Sequence, residues 1–187
     1  MSMKKYTLVV CVMMAVCWNA TAQYAKGDLA VNAGISFGLI GYGYGYYGSG
    51  SGFLPVSFSG EYSVSERFAL GAYVGYFGRS YNSGDFRFTA LSFGARGTFH
   101  ASPFLREKLD WNISEKLDVY GSVLLGVETL SWKYRDENIS GYYDNNSRVI
   151  LGPVLGIRYF FSPNFAAYFE GGRGAFGVGT LGITAKF

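Results

Sequence analysis

The sequence predicts an all-β fold, a closed up-and-down antiparallel transmembrane β-barrel of eight strands. The composition, with 27 Gly, 16 Tyr and 16 Phe among 187 residues, favours strands and tight turns. After residue 22 no apolar run is long enough for a membrane-spanning helix. The last segment alternates with a two-residue period, and one face of it is apolar: Leu181, Ile183, Ala185 and Phe187. Strands that cross lipid must close into a barrel, because an open edge leaves backbone groups unsatisfied.

The N-terminal segment predicts a secretory signal peptide over residues 1–22. Lys4 and Lys5 precede an uncharged run from residue 8 to residue 18, which is too short to span a bilayer. Small residues at positions 20 and 22 form a cleavage pattern, so we expect cleavage between Ala22 and Gln23. Residues 23–187 then form one β-barrel domain. Two alternatives are a buried N-terminal helix and a lipoprotein modified at Cys17.

Composition also limits the partners and cofactors. Both cysteines, Cys11 and Cys17, lie within the predicted signal, so no disulfide or thiolate metal site is expected after cleavage. The chain has 16 Lys and Arg against 13 Asp and Glu, and two of those lysines also lie in the signal. The remaining excess of one positive charge gives no support to a nucleic-acid partner. No metal or other cofactor is implied.

In the first half of the chain, four segments alternate apolar residues with small or polar ones: 28–38, 54–64, 68–78 and 87–99. Their lengths suit tilted membrane strands of about 9–11 residues. The Gly- and Tyr-rich stretch from 41 to 52 is predicted to be a long loop. The segment 65–67 reads as a short turn, and the polar stretch 79–85 as a loop.

Four further strands are predicted over 117–131, 149–160, 165–172 and 177–187. The first of these is the least regular, because Leu124 and Leu130 fall on its inward face. The charged, Asn-rich stretch 133–147 is predicted to be a loop, and 162–164 a turn. An even number of strands places both termini on the periplasmic side, together with the short turns.

The connection over 100–116 is unusually long for the periplasmic side. We expect a helical turn between Phe104 and Leu109, with Leu105, Leu109 and Trp111 lying flat against the membrane interface. Trp111 and Trp132 would then lie at opposite faces of the membrane, as aromatic belts do.

The chain resembles the small OmpA/OmpX-like eight-stranded outer-membrane barrels, in the form common in Bacteroides-type bacteria. The resemblance covers nearly all of residues 23–187. It rests on the terminal pattern ending at Phe187, on the turns Ser65-Glu66-Arg67-Phe68 and Ser162-Pro163-Asn164-Phe165, and on the segment 117–121. It implies an integral outer-membrane location among lipid and lipopolysaccharide. It also implies that the barrel assembly machinery recognises the C-terminal strand as its assembly signal.

Six charged residues fall on the predicted inward face: Glu61, Arg96, Asp118, Glu128, Arg158 and Glu170. Arg158 and Glu170 lie on neighbouring strands, which makes them a candidate pair. Glu61 and Arg96 flank the third strand, whose glycines leave room for a second pair, and Glu128 lies within reach of position 148. Side chains fill an eight-stranded barrel, so buried charges must pair. We therefore expect a structural salt-bridge network; the alternative is a proton or small-solute path.

The sequence gives little support to catalysis. His100 is the only histidine and lies next to Ser102, with no carboxylate nearby in sequence. Acyl hydrolysis needs a nucleophile, a base and an orienting acid together, so we interpret His100 as a polar turn residue and the protein as a non-enzyme. Four tyrosines of the first long loop form a candidate contact surface for an unknown extracellular partner, or an aromatic girdle at the rim: Tyr42, Tyr44, Tyr46 and Tyr47.

These observations predict an integral outer-membrane barrel with a filled lumen and a structural or surface-interaction role through its extracellular loops. One alternative is a narrow, porin-like channel for small or hydrophobic solutes. A second is a lipid-A-modifying barrel enzyme, and a third is a soluble secreted β-sandwich. The outward apolar face weighs against the sandwich, since water would meet a large apolar band.

Overall fold

The computed structural model describes residues 24–39, 51–52, 54–81, 86–134 and 143–187. The predicted cleavage residues Ala22 and Gln23 lie outside these ranges. So do the four loop tyrosines: Tyr42, Tyr44, Tyr46 and Tyr47. Among the described residues, no helix is long and apolar enough to cross a membrane.

Nine strands and one helix follow one another along the described chain. The first five strands are β1 (Leu29–Leu39), β2 (Ser51–Gly52), β3 (Val56–Ser63), β4 (Phe68–Tyr81) and β5 (Phe86–His100). The helix α1 (Ala101–Leu109) follows directly. The remaining strands are β6 (Leu117–Tyr134), β7 (Tyr143–Ser162), β8 (Phe165–Gly172) and β9 (Gly177–Lys186).

Eight of these strands close into a barrel. Each of them pairs antiparallel with its neighbours in chain order, and β1 also pairs with β9, where Ala30 faces Lys186 and Leu39 faces Gly177. The two-residue β2 pairs only with the end of β4, at Ser80 and Arg79. The prediction of a closed, antiparallel, eight-stranded barrel is confirmed. This closed pairing excludes the two-sheet sandwich.

The barrel has two different ends. The short-turn end carries Tyr24, the connections 64–67 and 163–164, and α1, whereas the loop end carries the connections from β1 to β3, from β4 to β5, from β6 to β7 and from β8 to β9. Between them, the wall alternates between buried and exposed side chains. Large apolar residues are exposed on every barrel strand, among them Val31, Phe58, Leu70, Phe93, Leu125, Leu155, Phe169 and Ile183. This outward apolar band is what a lipid-facing surface requires.

Several strands extend beyond their predicted ends. The stretches 79–85 and 133–147 were expected to be loops, but β4 continues to Tyr81, β6 continues to Tyr134 and β7 begins at Tyr143. Polar composition misled the prediction, because a strand with polar side chains can keep its ladder pairing while water solvates those side chains. In contrast, β3 begins only at Val56, after Pro55, which has no N–H to donate to a ladder.

Candidate functional site

Among the described residues, buried charged side chains lie together in the lumen of the barrel. The lumen contains two layers along the barrel axis: an ionic layer in the short-turn half and an apolar layer in the loop half. The inward-facing side chains of the strands build both layers, since alternate residues of a barrel strand point inward. The six charged residues identified in the sequence all lie inside this lumen. Five of them belong to the ionic layer: Glu61, Arg96, Asp118, Arg158 and Glu170.

Arg96 on β5 joins two carboxylates. Its Nε lies 3.3 Å from Glu61 Oε1, and its Nη2 lies 2.5 Å from Glu170 Oε1 on β8. Arg96 Nη2 also donates to Ser122 Oγ at 3.0 Å, while Tyr120 donates its hydroxyl hydrogen to Glu170 Oε1 at 2.9 Å. Arg96 is 5% exposed and Glu170 is 6% exposed, so this ion pair is enclosed by protein.

Arg158 on β7 forms the second centre of the ionic layer. Its Nη1 lies 3.5 Å from Asp118 Oδ2, and its Nη2 lies 3.7 Å from Glu61 Oε1. The guanidinium also donates to the hydroxyl of Tyr24 and stacks 4.5 Å from the centre of the Tyr120 ring. Glu61 therefore lies between both arginines, which makes the layer one connected network.

The expected pairing of Arg158 with Glu170 is wrong. Register decides this, because Arg158 stands opposite Asp118 on β6 and opposite Tyr168 on β8. Glu170 stands opposite Gly156 instead, and its carboxylate extends across the lumen to Arg96. The missing side chain at Gly156 leaves room for the Tyr120 ring, since a Cβ there would lie 2.3 Å from a ring carbon.

His100 is not the polar turn residue that the sequence suggested. It is 1% exposed, and its Nδ1 lies 2.9 Å from Asp118 Oδ2. The ring of Tyr24 stacks on the imidazole, with 4.2 Å between ring centroids. Asp118 is far from His100 in sequence, but the pairing of β5 with β6 brings the two together at the short-turn end.

The neighbouring serine does not complete a catalytic arrangement with His100. Ser102 Oγ accepts the backbone N–H of Val119 at 2.6 Å, and the serine is fully buried. A nucleophilic hydroxyl has to face a substrate and hydrogen-bond to its base. Within the described ranges, no group of three or more His, Cys, Asp or Glu residues is arranged to hold a metal ion.

Glu128 lies apart from the five-residue network, nearer the loop end. Its Oε1 lies 2.5 Å from Arg148 Nε, and the two residues stand directly opposite each other on β6 and β7. Glu128 is 2% exposed, so this pair places a buried carboxylate beside a partly exposed guanidinium.

The apolar layer fills the loop half of the lumen. The buried side chains of this layer come from the four strands β4 to β7 and from the β8–β9 connection: Tyr73, Phe77, Phe88, Ala90, Leu124, Ile150, Val154, Ala175 and Phe176. Leu130 and Trp132 pack against them. Leu124 and Leu130 made the fifth predicted strand irregular because they point inward. Their inward direction lets them contribute to this apolar layer.

The β8–β9 connection folds into the lumen, which the sequence did not indicate. Gly172 adopts a φ of 127°, a conformation that favours glycine, and the chain then turns inward. Arg173 N–H donates to Pro153 O at 3.0 Å, and Gly152 lets the backbone approach, since a Cβ there would lie 2.2 Å from Arg173 O. Phe176 ends 3% exposed inside the barrel.

Between the two layers lies a cavity of about 20 Å³. Tyr73, Arg96, Leu124 and Glu170 are among its lining residues. This volume holds about one water molecule. The cavity itself therefore has no room for a solute larger than water, and the side chains of the two layers pack on either side of it.

No protein-family model matches the chain, and no curated protein matches it in sequence. Solved structures do match in fold. The N-terminal β-barrel domain of Pseudomonas aeruginosa OprF shares 13% identity with a TM-score of 0.51, over 88% of this chain and 100% of that one. Ail, the attachment invasion locus protein of Yersinia pestis, shares 16% identity with a TM-score of 0.55, over 87% and 99%.

The outer membrane protein OprG of Pseudomonas aeruginosa shares 11% identity with a TM-score of 0.50, over 88% of this chain and 97% of that one. The chain has the fold of a small outer-membrane β-barrel. In such barrels the short turns face the periplasm and the longer loops face outward. In this chain the ionic layer lies in the short-turn half of the lumen, and Phe176 lies in the loop half.

Proposed function

We propose that this protein is a non-conducting outer-membrane barrel that acts as a structural anchor and presents its extracellular loops for surface contact. The filled lumen supports this proposal most strongly. A salt-bridge network occupies one half of the barrel interior, and an apolar layer that includes the inserted Phe176 occupies the other half.

The two layers weigh against the alternative of a narrow channel. A proton or solute path through the ionic layer would require water around Arg96 and Arg158, yet both guanidiniums are buried and paired with carboxylates. A path would then have to displace Phe176 and Leu124 from a packed cluster. Because interiors of this kind are packed to near-crystalline density, an opening of this size would require a large rearrangement.

The remaining partners and the location are part of the same proposal. We expect cleavage after Ala22, integral insertion among outer-membrane lipid and lipopolysaccharide, and recognition of β9 by the barrel assembly machinery. In support, Leu181 and Ile183 are 57% and 61% exposed on the outward face of β9, and Phe187, directly after this strand, is 71% exposed. A Bacteroides-type origin rests on the sequence resemblance.

Planar-bilayer recording on the purified, refolded chain tests the non-conducting role. We expect no stepwise current above that of the bare bilayer, while a general porin in the same bilayer provides the positive control. Stable stepwise currents from the wild-type barrel would overturn the proposal and favour the channel.

The contact role is tested on cells that display the protein. A variant with Tyr42, Tyr44, Tyr46 and Tyr47 all changed to serine should insert at the wild-type level but adhere less to protein-coated surfaces, because tyrosines supply large amphipathic contact area. Equal adherence at equal surface density would assign the tyrosines to the membrane rim instead.

A further inference from the structure

The connection between β5 and β6 is longer than the other described connections at the short-turn end. Residues 101–116 include α1 and an irregular segment, whereas 64–67 and 163–164 are tight turns. A barrel needs only a few residues to join adjacent antiparallel strands. The extra residues of this connection therefore need a separate explanation.

Contacts with the barrel hold α1 at the rim. Ser102 Oγ accepts the N–H of Val119 at 2.6 Å, just beyond the last β5–β6 pair, His100 with Tyr120. Glu107 forms a salt bridge with Arg67 of the β3–β4 turn. The helix is thus tied both to β6 and to a neighbouring turn.

The exposed surface of this connection carries three large apolar side chains among charged and polar ones. Phe104, Leu109 and Trp111 are 38%, 50% and 57% exposed. Asp110 ends the helix in the left-handed conformation, with a φ of 52°, and the N–H groups of Asp110 and Trp111 both point to Leu105 O. This turn fixes Trp111 directly after the helix, as an exposed aromatic residue at the end of the barrel.

The connection begins and ends next to apolar residues of the barrel wall. The connection leaves β5 one residue after Phe99, whose ring packs 5.1 Å from that of the exposed Phe68, and it enters β6 at Leu117. The last turn of α1 also carries the basic residues Arg106 and Lys108, and Lys108 is exposed. The acidic Glu107 and Asp110 are exposed beside it, and Glu107 is paired with Arg67. Apolar aromatic residues beside basic ones are typical of a segment that lies in a membrane interface.

We propose that α1 and Trp111 form a membrane-docking surface that binds the phospholipid headgroup layer of the periplasmic leaflet. Phe104, Leu109 and Trp111 enter the boundary between headgroups and acyl chains, and Lys108 lies at the level of the phosphates. The surface fixes how deep the short-turn end lies in the bilayer. This role is independent of whether the lumen conducts.

Tryptophan fluorescence tests the proposal, because the chain has three tryptophans. The full-length double variant W18F/W132F keeps only Trp111. It is refolded into phosphatidylcholine vesicles that contain no other protein and carry bromine either near the headgroup or near the end of the acyl chain. We expect headgroup-proximal bromine to quench Trp111 at least about twofold more than deep bromine, since tryptophan prefers the interface.

The proposal fails if neither brominated lipid quenches Trp111 and aqueous acrylamide quenches it as efficiently as it quenches a free tryptophan analogue. Trp111 would then face the periplasm. The matched control, W18F/W111F, keeps Trp132, which packs 4.2 Å from the Phe88 ring beside the apolar layer of the lumen. We expect weak quenching of that variant by both brominated lipids.

A second variant separates docking by α1 from mere proximity of Trp111 to the barrel wall. Phe104 and Leu109 are changed to serine in the Trp111-only background, and folding is checked by the mobility of the unboiled protein in SDS gels. We expect the headgroup-proximal quenching of Trp111 to fall by about half, because the surface loses two of its three exposed apolar side chains. Unchanged quenching would contradict a docking role for the helix.

Discussion

Replacing Arg96 with methionine should strongly destabilise the barrel. The guanidinium lies 3.3 Å from one Glu61 oxygen and 2.5 Å from one Glu170 oxygen, and all three side chains are buried. Two opposite unit charges about 4 Å apart attract by about 4 kcal/mol at an effective dielectric constant of about 20. Removing one partner from a buried ion pair costs about 3–5 kcal/mol, because it leaves an uncompensated charge.

For R96M we expect the free energy of unfolding to fall by about 4 kcal/mol. Glu170 loses its paired cation, and Glu61 keeps only Arg158, whose Nη2 lies 3.7 Å from Glu61 Oε1. Urea unfolding of the refolded barrel in vesicles measures this loss as a lower midpoint with an unchanged slope. The matched variant is R96M/E170Q, which removes both charges while the amide oxygen can still accept the hydroxyl hydrogen of Tyr120.

The double variant should recover about 2 kcal/mol relative to R96M, because the uncompensated carboxylate is gone. The wild type, R96M, E170Q and R96M/E170Q together form a double-mutant cycle. A coupling energy below about 0.5 kcal/mol, or an R96M barrel as stable as the wild type, would refute the argument that this layer is an interdependent ion network.

Three further changes follow from the same structure. R158A should lower the urea midpoint, because the free energy of unfolding falls by about 3–5 kcal/mol. The planar-bilayer current should stay at the bare-bilayer level, and a clear rise in current would count against a structural network. F176A should lower the free energy of unfolding by about 3–5 kcal/mol in the same assay, because it leaves a cavity in the apolar layer. A decrease below about 1 kcal/mol would mean that the inserted connection is not packed there. G172A should lower the free energy of unfolding by about 1–3 kcal/mol, since alanine is strained at a φ of 127°. G171A serves as the control, because an added Cβ at Gly171 meets nothing within 4 Å. Equal effects of the two changes would contradict this conformation.

The two-residue period predicted the wall of the barrel well, because each strand has one lipid-facing side. The contacts between side chains inside the lumen depend on more than this two-residue period. The inward direction of Asp118 and Arg158 followed from alternation, but their direct pairing depends on the register between β6 and β7, which no local pattern specifies. The same pairing of distant strands brings Asp118 to His100.

Other features had no local signal at all. Tyr24 follows the predicted signal peptide and shows no periodicity, yet its ring fills the base of the lumen between His100 and Arg158. The glycine-rich stretch 171–174 predicts a turn but not its direction, so the insertion of Phe176 could not be inferred. Leu124 and Leu130 were the one available hint, since apolar residues on an inward face imply an apolar partner inside the barrel.

The mobility of the full-length chain in SDS gels, combined with cell fractionation, tests the central claim most directly. A closed barrel resists SDS until it is boiled, so the unboiled protein should migrate faster than the boiled protein and should sediment with the outer membrane. An unshifted band in the soluble periplasmic fraction would contradict the membrane barrel.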